Sequence, residues 1–283
     1  MAPHCRVRSV SCRLRVQNEA MQEICDDLVA EHADLDAIVG GLSEAEWDTP
    51  TPSPGWSVRD QVSHLWFFDQ RALLALTDAE AFAADTVTLL AGGGTDASVV
   101  PGRQITGAEM MERWRADRAQ LIAVARQVDP SSRVPWYGPA MGARSFITAR
   151  LMETWAHGQD VADALGANRA PSARLRHVAH IGVRARPFSY VTNGREVPAG
   201  EIAVVLTAPD GTVLRWGPDA DDPATSDVVR GPLLDFCLVV TQRRHHADTG
   251  LEVSGALAVD WIAIAQAFAG GPGAGRQPGQ FSS

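Results

Sequence analysis

The stretch "METWAHGQD", residues 152–160, places a glutamate and a histidine four positions apart among largely apolar neighbours. On a helix, residues four apart lie one above the other on the same face, so Glu153 and His157 would converge on one point. An isolated buried carboxylate costs several kcal/mol unless it is paired, protonated or bound to a cation. The stretch therefore predicts a helix that carries either a metal site on its inward face or a hydrogen-bonded pair at a helix surface or domain interface.

Apolar residues at helical spacing extend this stretch to a helix over about residues 145–165, and three further helices are predicted before it. The first covers about residues 22–42 and the third about residues 107–128. The second begins near Ser57, because Ser57 and Asp60 have the spacing of a capping box. Four helices with one long crossover, here between the second and the third, are typical of a four-helix bundle.

The pattern changes in the second half of the chain. Two β-rich runs in "EIAVVLTAPDGTVLRW" flank Asp210-Gly211, and this arrangement predicts a β-hairpin. Helical segments follow near residues 232–243 and 259–268. The second half therefore mixes strands and helices.

These patterns divide the chain into four parts. We expect a disordered tail at residues 1–20, or an extension upstream of Met21, and a helical bundle at 21–168. A mixed domain is expected at 172–270. A final tail at 271–283, rich in Gly, Pro and Gln, is expected to be disordered.

Composition limits the classes of partner. With a net charge of -9 and a pI near 5.3, the chain lacks the excess of basic residues that nucleic-acid binding requires. All 25 basic residues are arginine, which excludes lysine chemistry such as Schiff-base formation. No apolar run reaches the roughly 18 residues of a membrane helix. The four scattered cysteines fit a reducing cytoplasm. Small molecules remain as the expected partners, and a homodimer is left open.

A third candidate ligand lies on the second predicted helix. His64, in "VRDQVSHLWFFD", is near the middle of that helix. A lone histidine there is more often a core residue than a metal ligand. Together with Glu153 and His157, however, it would supply three protein ligands from two bundle helices and leave a position for water or substrate.

Two segments carry a family resemblance. "TPSPGWSVRDQVSHL" (residues 51–65) and "VPWYGPAMGARSFITARLMETWAHGQDVADALG" (residues 134–166) contain the joint pattern PGWxxxDxxxHL plus ExxxHxxD. On these residues the chain resembles the mycothiol-dependent maleylpyruvate isomerase family, a branch of the DinB-like metal-binding bundles. The resemblance implies a multidomain α+β fold, in which a DinB-like four-helix bundle precedes a C-terminal α/β domain similar to sterol-carrier folds.

The resemblance also implies a chemistry. His64, Glu153 and His157 occupy the family's metal-ligand positions, with zinc as the usual divalent ion and mycothiol as the thiol cofactor. The thiol would add to the activated double bond of the substrate, permit rotation and leave. A coordinated thiol is deprotonated, and the thiolate is the nucleophile.

Two further residues receive roles. Arg243, in "LLDFCLVVTQRRHH", aligns with an arginine of the family's active site and would pair with a substrate carboxylate. Gln242 stands where the family has a glycine, and a solvated helix end is the alternative for Arg243. Asp160 would orient a ligand histidine through its second ring nitrogen, or face Arg150 or solvent.

Three functions remain open at this point. A thiol-dependent cis-trans isomerase of the maleylpyruvate type is favoured, and a mycothiol S-transferase shares its first step. A non-catalytic module that binds a small ligand and carries a structural metal is the alternative of another class. His32, His177 and His180 have no carboxylate or histidine in a convincing metal-binding arrangement in the sequence and are expected at a surface or interface.

Overall fold

Long helices form the first of two units in this computed structural model, which describes residues 10–92 and 94–281. The units are Met1–Leu165 and Gly166–Ser283. The helices of the first unit are α1 (Val10–Val39), α2 (Glu44–Trp47), α3 (Val58–Thr77), α4 (Ala79–Ala91), α5 (Gly107–Ala125) and α6 (Ala143–Leu165). Two short antiparallel strands, β1 (Arg133–Val134) and β2 (Met141–Gly142), precede α6.

The four helices predicted from the sequence pack together as α1, α3, α5 and α6. Helix α1 lies against α6 and α5, and α3 lies against the same two helices. A buried cluster joins them: Leu35, Val39, Trp47, Val58, Val62, Leu65, Trp66, Met110, Met111, Trp114 and Val161. This packing brings α3 beside α6, the two helices that carry the candidate ligands.

A capping box fixes the start of α3, and this prediction is confirmed. Ser57 Oγ accepts from the backbone N–H of Asp60, and the Asp60 carboxylate accepts from the Ser57 N–H at 2.9 Å. Arg103 donates to both oxygens of the same carboxylate, at 2.7 and 2.9 Å. Burial would raise the pKa of Asp60, but these bonds outweigh burial and the pKa is lowered. The register of α3 is therefore anchored at its start.

The long crossover between α3 and α5 is structured. It contains α4 and two 3-10 stretches, Gly94–Val99 and Gly102–Gln104. The buried residues of α4 are Phe82 and Leu89. Such sparse burial leaves little periodic signal in an alanine-rich segment.

Helix α1 begins at Val10, before the predicted start near residue 22. Residues 10–20, expected in a disordered tail, are helical because neither glycine nor proline interrupts a run containing Arg, Leu, Glu and Ala, which favour helices. Residues 1–9 lie outside the described residues.

The second unit combines short helices with a small sheet, and the mixed α+β class is confirmed. Its helices are α7 (Leu175–Arg184), α8 (Arg186–Thr192), α9 (Leu233–Val240) and α10 (Ala256–Ile262). Its strands are β3 (Ala203–Thr207), β4 (Val213–Trp216), β5 (Val228–Pro232) and β6 (Glu252–Ser254). The strand order is β4-β3-β5-β6, in which β3 and β5 are parallel and the outer pairs are antiparallel.

The predicted hairpin is confirmed as the antiparallel pair β3 and β4. Helix α9 lies within the predicted segment 232–243, whereas α10 begins and ends earlier than the predicted segment 259–268. Disorder of the last residues stays a prediction; in the described part, the Gly279 N–H donates to both Asp248 carboxylate oxygens at 2.8 and 2.9 Å. Among the described residues, no helix combines the length and apolar composition that a membrane crossing requires.

Candidate metal centre

His64, Glu153 and His157 come together where α3 meets α6. Each offers a ligand atom, and these atoms lie within 4.8 Å of one another. His157 Nε2 is 3.2 Å from Glu153 Oε2, and the two imidazole centroids are 4.4 Å apart. His64 is buried, while the other two side chains are partly exposed. The geometry is thus the one expected of a three-ligand cation site with an accessible side.

Aromatic rings enclose the cluster. The Trp56 ring lies 5.1 Å from the His64 ring and stacks on the His157 ring at 5.9 Å with an interplanar angle of 16°. Phe68 contacts His64 from the same helix, with ring centroids 4.7 Å apart. Apolar walls lower the local dielectric constant, so charge interactions inside the cluster are stronger than in water.

The "SPGW" segment explains how Trp56 reaches this position. The Trp56 N–H donates to Ser53 O at 3.0 Å, which closes a four-residue turn with Pro54 and Gly55 at its centre. Gly55 has φ of 80°, a conformation that other residues rarely adopt. Proline followed by glycine therefore favours the turn that places the indole over the histidines.

The Nδ1 atoms of the two histidines have hydrogen-bond partners that the motifs in the sequence do not predict. His157 Nδ1 lies 2.5 Å from Gln61 Oε1, and His64 Nδ1 lies 2.9 Å from Ser98 Oγ. Gln61 is three residues before His64 on α3, so its place on the same face could have been inferred from spacing. Ser98 lies in the crossover, where no motif pointed to it.

A role for Asp160 in orienting a ligand histidine stays a prediction; Gln61 and Ser98 lie against the Nδ1 atoms of the two histidines. The Asp160 carboxylate is buried and accepts from Ser53 Oγ at 3.0 Å. A residue three positions after His157 is displaced around the helix axis, which directs Asp160 toward the loop before α3.

Arg243 lies in the second unit, just after α9. Its Nη1 donates to the backbone oxygen of Thr241 at 2.6 Å. Gln242 has φ of 61° and is the one non-glycine residue with positive φ in the described part of the chain. Glycine would adopt this conformation without strain, as the expectation of a glycine at this position requires. A catalytic role for Arg243 stays a prediction.

The remaining histidines and aromatics divide between core and surface. His32, expected at a surface or interface, is 3% exposed and packs edge-on against Trp114. Burial lowers the pKa of His32 to about 4. His177 is also buried, whereas His180 is exposed. Tyr137 packs against Phe68, and burial raises its pKa to about 12.

Comparisons with known proteins find a matching family model, two relatives and a similar fold. Residues 28–162 match the family model described as "Mycothiol maleylpyruvate isomerase N-terminal domain". Uncharacterized proteins from two strains of Mycobacterium tuberculosis are each 43% identical over 253 residues, which cover 88% of this chain and 96% of the relative. A crystal structure of the mycothiol-dependent maleylpyruvate isomerase covers 79% of this chain and 90% of its own, with a TM-score of 0.55 at 16% identity. The crystal structure of a histidine-to-alanine mutant of that enzyme matches with a TM-score of 0.53.

Proposed function

The chain belongs to the mycothiol-dependent maleylpyruvate isomerase family, and from this premise we propose that it is a metal-dependent enzyme that uses mycothiol. Its reaction is a cis-trans isomerisation, of the maleylpyruvate type, on a small electrophilic substrate that bears a carboxylate. The observation that carries the proposal is the convergence of His64, Glu153 and His157 within 4.8 Å.

The donor set fits a divalent metal. Two imidazoles and one carboxylate are common zinc ligands, and Nδ1 of each histidine is already held, which leaves Nε2 for the ion. The same set also suits Fe(II) or Ni(II). Among the described residues the cluster has three members, whereas structural zinc sites usually have four protein ligands. The count therefore favours a catalytic site over a structural one.

The charge of the donor set favours a thiolate. Two neutral imidazoles and one carboxylate around a divalent ion leave a net charge of about plus one, which an anionic sulfur would neutralise. When bound, the metal would keep a thiol deprotonated near neutral pH. The protein residues hold the ion and supply the low-dielectric walls, chiefly Trp56 and Phe68, that strengthen this attraction.

Arg243 is the proposed partner of the substrate carboxylate. A guanidinium can hold a carboxylate through two parallel hydrogen bonds, which fixes the orientation of the double bond to be rotated. The bond from Nη1 to Thr241 O restrains the side chain. The proposal for Arg243 rests on its alignment with the family arginine.

The test uses the full chain loaded with zinc, mycothiol and maleylpyruvate, with product analysis by mass spectrometry. Formation of the trans isomer that requires both metal and mycothiol would support the proposal. A stable mycothiol adduct would instead identify the S-transferase. Tight metal binding without turnover of any thiol and electrophile pair would favour the non-catalytic binding module.

A further inference from the structure

A hydrogen-bond relay, that is, a chain of hydrogen bonds in which each donor and acceptor can be assigned, ends on His157. Thr51 Oγ1 donates to the Trp56 backbone oxygen at 2.8 Å, since a carbonyl can only accept. Gln61 Nε2 then donates to Thr51 Oγ1 at 2.9 Å, which turns its carbonyl oxygen toward His157 Nδ1 at 2.5 Å. Because that oxygen can only accept, Nδ1 must carry the proton. Gln61 is fully buried, so water does not compete for these bonds.

A second relay ends on His64. Ser98 Oγ donates to the Thr95 backbone oxygen at 2.6 Å. Its one proton is thereby used, so at 2.9 Å it accepts from His64 Nδ1. Ser98 is fully buried, and Ser63 Oγ donates to its backbone oxygen at 2.7 Å. The 3-10 stretch that carries Ser98 is thus fixed to α3 next to the histidine.

Both relays select the same tautomer. A neutral imidazole carries its proton on either nitrogen, and only the unprotonated nitrogen can bind a metal. We propose that Gln61 and Ser98 are positioning residues that hold His157 and His64 with the proton on Nδ1. His157 also has a second acceptor, because Glu153 Oε2 lies 3.2 Å from its Nε2, and the shorter 2.5 Å contact to Gln61 Oε1 favours the proton on Nδ1. Both histidines then present an unprotonated Nε2 to the cluster before a cation binds. This inference rests on the metal site of the proposed function, and it is independent of the thiol and the substrate.

The relays have an energetic consequence. Selecting the tautomer and the ring orientation in advance removes an ordering cost from metal binding, and partners of this kind typically contribute about 10–100-fold in metal affinity. A purely structural role for Gln61 and Ser98 would stabilise the fold but would not dictate which ring nitrogen is protonated.

The experiment measures the tautomer directly. The metal-free full chain, labelled with ¹⁵N-histidine, is examined by long-range ¹H–¹⁵N correlation at a pH above the ordinary histidine range. We expect the Nδ1–H tautomer at positions 64 and 157 in the wild type. Gln61→Leu should release His157 into a mixture of tautomers, and Ser98→Ala should do the same for His64. Zinc affinity, measured by chelator competition, should fall about 10–100-fold in each.

Conservative and matched variants separate positioning from packing. Gln61→Glu keeps an acceptor facing His157, so it should retain the Nδ1–H tautomer and bind zinc more tightly than Gln61→Leu. Gln266→Leu and Ser189→Ala remove equally buried groups in the second unit and should leave tautomers and zinc affinity unchanged.

Two results would overturn the inference. One is an Nε2–H tautomer at either histidine in the metal-free wild type, which needs no variant to be observed. The other is unchanged tautomers and zinc affinity in both Gln61→Leu and Ser98→Ala. A wild type that shows both Nδ1–H tautomers and binds zinc, yet turns over no thiol substrate, would contradict the proposed function alone.

Discussion

Nε2 of His157 lies 3.2 Å from Oε2 of Glu153, one helical turn earlier on α6. A pair of this kind alone could be an ordinary hydrogen bond along a helix. The His64 ring, supplied by α3, lies 4.4 Å from the His157 ring and turns the pair into a three-donor cluster. The contribution of a second helix is what favours a cation site over a helical side-chain pair.

Removal of either imidazole takes away one of three protein ligands. We expect His64→Ala and His157→Ala each to reduce bound zinc from about one ion per chain to less than about a tenth. The helices should remain folded, because the core cluster around Leu65 and Trp114 does not depend on the histidines. Elemental analysis after gel filtration and far-ultraviolet circular dichroism measure these two properties.

Exposed His180 provides the control, since His180→Ala removes an imidazole from the second unit. Full zinc occupancy in both ligand variants would show that the ligand assignment is wrong.

The close fit between the crossover and α3 gives a second prediction. A Cβ atom at Gly102 would lie 2.5 Å from Ser63 Cβ and 2.8 Å from Met110 Sδ. Gly102→Ala must therefore push the crossover, including Ser98, away from α3. We expect a loss of about 1–3 kcal/mol in the free energy of unfolding from overpacking. Zinc affinity should also fall, because the partner of His64 moves.

Urea unfolding and chelator competition measure the two effects of Gly102→Ala. Gly138→Ala is the matched control, since no atom lies within 4 Å of the added Cβ. Equal zinc affinity in the two variants would show that the position of the crossover does not matter to the site.

Much of this architecture is encoded locally. The capping residues Ser57 and Asp60 and the spacing of Glu153 and His157 are properties of short segments, so the sequence predicts them. The hydrogen-bond relays are not properties of short segments. Ser98 reaches His64 through a crossover whose position depends on tertiary packing. The burial of His32 is not predicted either, because it too depends on tertiary packing, here by helices distant in sequence.

Buried His32 should make stability depend on pH. Burial lowers its pKa from 6.5 to about 4, with Asp69 opposing the shift and Arg118 and Arg150 reinforcing it. The folded state therefore holds a neutral imidazole, and protonation favours unfolding. This contribution is complete above pH 6.5 and is lost as the pH falls from 6.5 toward about 4. The expected loss is on the order of 3 kcal/mol.

Urea titrations between about pH 7 and 4.5 measure this dependence on His32. His32→Leu removes the titrating group and should flatten the decline, whereas His180→Leu should preserve it. A decline of equal steepness in His32→Leu and in the wild type would assign the acid sensitivity to other groups.

Arg243 gives the prediction that bears most directly on the substrate. If its guanidinium holds a substrate carboxylate, Arg243→Ala should raise KM for maleylpyruvate by about 10-fold or more, since hydrogen bonds to charged groups contribute about 1.5–3 kcal/mol. The KM for mycothiol should change little. Arg195→Ala, which removes a surface arginine paired with Asp260, controls for the lost positive charge. Steady-state kinetics with each substrate varied in turn separate the two effects. Equal KM values for maleylpyruvate in the wild type and Arg243→Ala would show that Arg243 does not hold the substrate carboxylate.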